Sequence, residues 1–382
     1  MRFSIDAHAI GRHLTGNEVY VRSLLEGFAS LDKKSEFIAY TSVRGAEEHV
    51  PSRIRTKRVS ENPFIRLGLD LARHVRTDAP DLLHVQYTAP LFCPAPVVVS
   101  IHDVSYLEHP EFFPMARRVQ LKISVERTVR RAAKILTLSE FSRQGIARSY
   151  GMDPDKIAVV PAACSSIFKP VSRAKAKAFV EGRFQVAHPF VLCVGDLQPR
   201  KNPLGLIRAF EELVGNCPEL PHHLVMVGKD TWYASKVHQA AEHSPFGNRI
   251  HFTGYVDDAE LLQLYNACDI FVFPSFYEGF GIPILEAMAC GRAVACANTS
   301  AMPEVAGSAA VLFNPHSTEE MMMSMRDLLR NNELRARKER MGQQNASRFS
   351  WKGTARQTLD VYYEVAGINA KQGQRATSVG RR

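Results

Sequence analysis

The sequence predicts an α/β protein of two domains, each built on a parallel sheet covered by helices. Three observations predict it: apolar runs of strand length recur along the whole chain, longer segments of helical periodicity separate most of them, and 382 residues suit two domains better than one. Strand alternating with helix gives parallel sheets covered on both faces.

In the first half the strand-length runs are RFSIDAH, EFIAYTSV, LLHVQY, PVVVSIHD, KILTLS and KIAVV; in the second they are FVLCVGDL, HLVMVGKD, RIHFTGYV, DIFVFPSF and AVACANTS. NEVYVRSLLEGFASL and PLGLIRAFEELVG are among the helical segments between them. The alternation pauses at residues 165–188, polar and basic and without a convincing strand, which places the domain junction there. Residues 1–170 form the first domain in this reading and 188–348 the second. Two helices end the pattern: STEEMMMSMRDLLR, opened by a capping box from Ser317 to Glu320, and a helix within 350–366. Residues 367–382 read as a flexible basic tail.

With 45% apolar and 23% charged residues, each half can bury a core. A net charge of +9 favours anionic partners: nucleotide phosphates, an anionic membrane face or nucleic acid. The cysteines, Cys93, Cys164, Cys193, Cys217, Cys268, Cys290 and Cys296, show no CxxC or Cys/His ligand spacing and read as reduced, mostly buried thiols of a cytoplasmic protein. The opening MRFSIDAHAIG reads as a first strand rather than a secretion signal, and no run approaches the roughly 20 apolar residues that span a bilayer.

Open parallel sheets bind ligands at the carboxyl ends of their strands. Those positions hold His102 and Asp103, Gly195 followed by Arg200 and Lys201, Gly228 and Lys229, Gly254 and Tyr255, and Glu278 with Gly279. His8, His84 and Tyr87 follow earlier strands. The richest segment is FVFPSFYEGFGIPILEAMACG, a strand that ends in a glycine loop opening into a helix. Gly279 and Gly281 let backbone amides approach a ligand, Pro283 suits the first helical turn, and the free amides of a helix start favour an anion or hydroxyls. Glu278 and Glu286 flank the turn, and a carboxylate can accept both hydroxyls of a vicinal diol. Two such sites a sugar-phosphate length apart would grip both ends of a sugar nucleotide.

EGFGIPILE followed by PEVAG resembles the signature of retaining glycosyltransferase family 4. GDLQPRKN, FTGYV, LYNACDIFVFPS, SIHDVSYLEHPEFF, TLSEFS and VVPAA are similar to further family segments, in the family's order, across about residues 1–365. The resemblance implies the GT-B fold, two facing Rossmann-like domains with a C-terminal crossover helix. It implies a donor that is a GDP- or UDP-sugar, transfer of mannose or glucose foremost, and a glycan or lipid-linked acceptor. It assigns Arg200 and Lys201 to the donor diphosphate, Glu278 with Gly279, Phe280 and Gly281 to the donor sugar, Glu286 to the ribose, and Tyr255 and Val256 to the base. Gly195 joins the donor-binding set, and Gly16, in GRHLTGNEVY where many members have a GxG turn, lies at the phosphate end. His102 faces the donor sugar and, with Glu278, Arg200 and Lys201, makes up the catalytic group; Asp103, His8 and Tyr87 are acceptor-side candidates. Front-face transfer assisted by the departing diphosphate is the mechanism the resemblance favours.

No cofactor beyond the donor, and no metal, is expected. Asp153 and Asp155 have the DxD form but sit in a turn ahead of KIAVV, Asp257 and Glu260 read as a capping box, and Met321, Met322 and Met323 as helix packing. In residues 116–134, Arg117, Arg118, Lys122, Arg127, Arg130, Arg131 and Lys134 recur among apolar residues at helical spacing. That stretch is either a solvated face or a docking surface for anionic lipid, which would put the protein peripherally on the cytoplasmic membrane face; no nucleic-acid motif accompanies it. A nucleotide-sugar epimerase and a non-catalytic nucleotide-sugar binder or scaffold are the competing readings. A dinucleotide oxidoreductase is disfavoured, because no GxGxxG follows the first strand.

Overall fold

The structure is a computed structural model that describes residues 1–12 and 15–367; the tail expected at 367–382 falls, from 368 onward, outside the described residues. Among the described residues thirteen strands form two sheets: β1 Arg2–Asp6, β2 Glu36–Thr41, β3 Arg55–Arg58, β4 Leu82–Gln86, β5 Val97–Ser100, β6 Lys134–Thr137 and β7 Ile157–Val159, then β8 Phe190–Val194, β9 His223–Val227, β10 Ile250–Gly254, β11 Ile270–Phe273, β12 Ala293–Ala297 and β13 Ala310–Phe313. Their orders are β3-β2-β1-β4-β5-β6-β7 and β10-β9-β8-β11-β12-β13, and every pairing is parallel. Two Rossmann-like sheets covered by helices are therefore present.

The chain divides into two compact units, Met1–Ala162 together with the chain from Ser350 onward, and Ala163–Phe349. In the first, the helix Trp351–Val365 lies against the helix Thr15–Leu31 so closely that a Cβ on Gly27 would sit 2.3 Å from the Cβ of Ala355. Tyr362 of that helix joins an aromatic cluster with Phe3 and Phe28, at centroid distances of 5.1 and 5.4 Å, and its hydroxyl lies 2.6 Å from His84 Nδ1. The stretch 165–188 contains no strand but carries the helix Arg173–Phe184.

In the second unit, Met321 and Met322 are buried in the helix Thr318–Arg330 and Met323 is half-buried, as packing residues should be. The Asp257–Glu260 capping box forms with both of its hydrogen bonds. The Ser317–Glu320 box expected from sequence forms only by half: Ser317 Oγ accepts from the Glu320 amide at 3.1 Å, whereas the Glu320 carboxylate accepts from the Asn314 amide at 2.8 Å. The Ser317 amide donates to the Asn314 carbonyl at 3.0 Å, and the Glu320 carboxylate takes the Asn314 amide instead. Among the described residues no helix is long and apolar enough to cross a membrane.

Candidate functional site

In the second sheet the chain runs from β8 through β9 to β10 in one direction and from β11 through β12 to β13 in the other. The crevice beyond the carboxyl ends of β8 and β11 is thus a topological switch point, where open sheets take their ligands. Backbone contacts shape it. A Cβ on Gly228, at the end of β9, would lie 2.2 Å from the carbonyl oxygen of Gly195, at the end of β8, so only glycine allows the two exits to touch. Asp196 Oδ1 accepts from the Lys229 amide at 3.1 Å, and the Leu197 amide donates to the Lys229 carbonyl at 3.0 Å. The chain then makes one tight turn, Pro199–Lys201, closed by Asn202 at φ +55°, whose side chain donates to the Pro315 carbonyl and caps the next helix at Gly205. Arg200 and Lys201 are carried on that turn.

The loop after β11 meets them. Arg200 binds it at three points: its carbonyl accepts from the Phe276 amide at 2.8 Å, and its Nη1 donates to the Tyr277 carbonyl at 2.6 Å and to Glu278 Oε2 at 2.9 Å. Lys201 Nζ donates to Glu278 Oε1 at 2.6 Å and lies 5.0 Å from the Phe273 ring centroid. The Glu278 backbone is held as well, its amide donating to Ser300 Oγ at 2.9 Å and its carbonyl accepting from Ala301. Burial pushes the Glu278 carboxyl up, but the Arg200 and Lys201 charges outweigh burial and hold it down at about 2. It is a carboxylate across the neutral range.

Gly281, at φ +106°, turns this loop into the helix Ile282–Ala289. Gly279 and the buried Phe280 precede it, the Phe280 ring edge-on to Phe349 at 5.8 Å. Glu286 lies further along the helix, and its Oε2 accepts from the Tyr265 hydroxyl at 2.8 Å. Burial pushes this second carboxyl up to about 7, with the Tyr265 hydrogen bond opposing and Asp258 adding to the rise. Tyr255, past the end of β10, is exposed and carries Lys229 Nζ over its ring at 4.8 Å, while Val256 is buried. Arg200, Lys201 and Glu278 therefore make one cluster, and Glu286 engages Tyr265 instead.

The remaining candidates belong to the first unit, whose switch point lies between β1 and β4. His102 follows β5, with Nε2 3.4 Å from Gln86 Oε1 and the Tyr20 and Tyr87 rings edge-on at 4.7 and 5.7 Å. Among the described residues its buried Nδ1 has no hydrogen-bond partner, and burial pushes the imidazole down to about 4, so it is neutral at physiological pH. Asp103 accepts from the Ser105 amide and hydroxyl at 2.9 and 2.6 Å, a turn-holding arrangement. His8 Nδ1 lies 3.1 Å from the buried Asp6, whose other oxygen takes Arg66 at 2.5 Å. Gly16 is exposed, the second residue of its helix, with open space where a Cβ would be. Tyr87 and His102 thus share one cluster, and His8 keeps separate company with Asp6 and Arg66.

Asp153 caps its own turn, accepting from the Asp155 amide at 2.9 Å. Among the described residues no group of three or more His, Cys, Asp or Glu is placed to hold a metal ion. Ser300, which holds the Glu278 amide, follows β12 and was discoverable by the same strand-end rule that finds the other site residues. Tyr265, a mid-helix residue, leaves no such signal.

Residues 175–345 match the family described as glycosyl transferases group 1, and residues 14–164 match glycosyltransferase family 4. The O-antigen chain mannosyltransferase B of Escherichia coli is 34% identical over 266 residues, 69% of this chain and 69% of that protein. A serotype-specific mannosyltransferase WbdA of Escherichia coli is 29% identical over 242 residues, 61% of this chain but only 29% of WbdA, so the match spans under a third of that relative. Among solved structures, HepE of Anabaena in complex with UDP and glucose superposes with a TM-score of 0.77 at 21% identity, covering 95% of this chain and 100% of that one. WaaG, a glycosyltransferase involved in lipopolysaccharide biosynthesis, gives 0.74 at 16% identity over 95% and 99%. These two likenesses concern the fold.

Proposed function

This chain belongs to glycosyltransferase family 4, with the GT-B fold, and from that premise we propose that it is a retaining hexosyltransferase, mannosyl foremost, taking its sugar from a GDP- or UDP-linked donor to a hydroxyl of a glycan or lipid-linked acceptor. Family membership makes it a glycosyltransferase; the donor, the stereochemistry and the acceptor are our reading. The observation that carries the reading is the buried Glu278 carboxylate bridging Arg200 and Lys201 at the β8–β11 switch point. Both curated relatives described above are named mannosyltransferases, which favours mannose. A UDP complex of a fold neighbour favours a nucleoside diphosphate leaving group.

Breaking the anomeric C–O bond leaves positive charge on the sugar ring and sends the electron pair to the diphosphate. Arg200 and Lys201 meet that negative charge as it develops, an interaction stronger in the transition state than in the bound donor. Glu278 accepts hydroxyls of the donor sugar, Glu286 those of the ribose, and Tyr255 and Val256 border the base. The acceptor oxygen bonds to the anomeric carbon on the face the diphosphate leaves, and its proton passes to a departing phosphate oxygen. His102, neutral by burial, acts through hydrogen bonding rather than as a cation. With two fixed cations on the leaving group, turnover is expected to survive a metal chelator.

Thermal-shift titration with a panel of nucleotides and sugar nucleotides tests the donor, because a ligand that binds the folded state stabilises it more the further its concentration exceeds its dissociation constant. NMR of the product tests the stereochemistry. Stabilisation by a nucleoside diphosphate and by one of its hexose conjugates, with the anomeric configuration retained, is the expected result; an inverted product or a covalent glycosyl-enzyme overturns the proposed mechanism.

A further inference from the structure

We propose that the first unit docks on an anionic lipid surface through one face, built from residues 63–76, residues 89–95 and the helix Met115–Arg131, with a lipid phosphate seated between Arg76, Arg127 and Arg131. The proposal stands apart from the donor reading, since it concerns the other end of the sheet. The cavity concerned, about 350 Å³, is lined by residues 89–97, Thr128 and these three arginines. Val97 is the first residue of β5, whereas His102 lies beyond the last, so this cavity opens at the amino ends of the strands.

The three segments are joined into one surface. The Leu91 amide donates to the Leu67 carbonyl at 2.8 Å, and Arg127 donates to the carbonyls of Ala89 and Leu91 at 2.7 and 3.2 Å. Of the thirteen large apolar side chains exposed among the described residues, eight lie on these segments. Phe64 is 78% exposed, Leu69 76%, Phe92 71%, Met115 74% and Ile123 66%. Met115, Val119 and Ile123 follow one another at intervals of four, a single stripe along the helix. A soluble protein rarely gathers so many exposed apolar side chains on linked segments.

Charge identifies the occupant. Arg76, Arg127 and Arg131 form no ion pair among the described residues, and Arg127 is satisfied by neutral carbonyls that leave its charge uncompensated. Burial, and after it the neighbouring Arg131, push the Arg127 guanidinium down. Arg73, Arg117 and Lys122 are exposed on the same segments. A free anion would use the arginines and leave the apolar ridge idle, and a nucleic acid would gain little from aliphatic tips. Anionic lipid uses both, headgroup phosphate in the basic cavity and apolar side chains at the acyl boundary.

Co-sedimentation of the full chain with vesicles tests this without any turnover. Vesicles of phosphatidylcholine containing phosphatidylglycerol are expected to carry the protein down at low salt and progressively less at high salt, and pure phosphatidylcholine is not. The double variants Phe64→Ser/Phe92→Ser and Arg76→Gln/Arg131→Gln are each expected to weaken binding by about tenfold or more with unchanged melting temperature, since all four side chains are exposed. Equal binding to neutral vesicles, or no binding at low salt, overturns the proposal. So does a result in which only the arginine pair matters and inorganic phosphate competes, which would make the cavity a site for soluble anions.

Discussion

The Lys201 ammonium rests 2.6 Å from Glu278 Oε1, although 77 positions of sequence separate the two residues. Arg200 takes the other carboxylate oxygen at 2.9 Å, so two cations share one anion at a loop junction that is largely withdrawn from water. The cluster keeps a net positive charge. A diphosphate brings more negative charge than the single carboxylate, and so it can compete for the same donors. The arrangement holds both cations in position ahead of any ligand.

Replacing Glu278 with Gln should therefore separate binding from turnover. Nucleoside diphosphate affinity is expected to hold or improve, because the cations lose an internal competitor, while kcat falls by about 100-fold with the loss of the charged acceptor for sugar hydroxyls. Calorimetry and steady-state rates on the same preparation measure both. Nucleotide binding that weakens tenfold would reduce Glu278 to a support for the loop.

Lys201→Ala should do the opposite to affinity. Removing one of two cations from the leaving-group site is expected to weaken nucleoside diphosphate binding by roughly 10- to 100-fold, with a further loss in kcat. Arg200→Ala is expected to be the more damaging of the two, since the Arg200 side chain also donates to the Tyr277 carbonyl and so helps set the loop itself. A melting temperature that drops for Arg200→Ala and not for Lys201→Ala would mark that difference.

Glu286 should impose a pH dependence. Its carboxyl is pushed up to about 7, so the ionised form that accepts two ribose hydroxyls grows as pH rises through that value. Nucleotide affinity is expected to increase on the order of tenfold from about pH 6 to about pH 8, and Glu286→Gln to flatten the profile. His102, held down at about 4, stays neutral across this window and cannot produce the change. Stability runs the other way: a folded-state value raised above the ordinary 4.5 contributes most below 4.5 and is lost as pH climbs through about 7. Affinity that is level across this range in the unmodified protein would remove the ribose from Glu286.

The chemistry-bearing positions were legible because a parallel sheet gathers its strand exits at one end. Arg200, Lys201, Glu278 and Gly279 could be selected from strand boundaries before any contact was known. What those side chains touch was not legible, since neither the bridge from Glu278 to Lys201 nor the hydroxyl of Tyr265 on Glu286 leaves a local pattern. Strands β3 and β13 escaped for a related reason. Each lies at the outer edge of its sheet, where one neighbour suffices; β3 is the polar RTKR, and β13 leaves Leu312 exposed and buries only Ala310 and Phe313. Helix starts were read with mixed success: Asp257 and Glu260 close their box, while Glu320 turns to the Asn314 amide, a choice set by the preceding loop.

Gly228 and Gly254 should respond unequally to alanine. At Gly228 the new Cβ would lie 2.2 Å from the Gly195 carbonyl oxygen and 2.5 Å from its carbon, backbone atoms that cannot swing aside. Destabilisation of about 3 kcal/mol or more is expected, enough to lower the melting temperature by several degrees. Gly254 has φ +70° and nothing within 4 Å of its would-be Cβ, so only the left-handed backbone is taxed, at about 1 kcal/mol. Equal losses at both positions would refute the contact between the β8 and β9 exits.

Tyr362 and His84 should prove coupled in stability. The Tyr362 hydroxyl lies 2.6 Å from His84 Nδ1, and Nε2 of the same ring is 2.7 Å from Ser100 Oγ, which also meets the Tyr20 hydroxyl at 2.8 Å. Burial pushes His84 down to about 3, so the ring is neutral and both nitrogens depend on these partners. Tyr362→Phe leaves a buried nitrogen unsatisfied, an expected loss of about 1 to 3 kcal/mol in denaturant unfolding. His84→Leu removes the orphaned group, so the double variant should be less destabilised than the sum of the two single changes. Strict additivity would mean that the Tyr362–His84 contact does not help hold the helix Trp351–Val365 against the rest of the first unit.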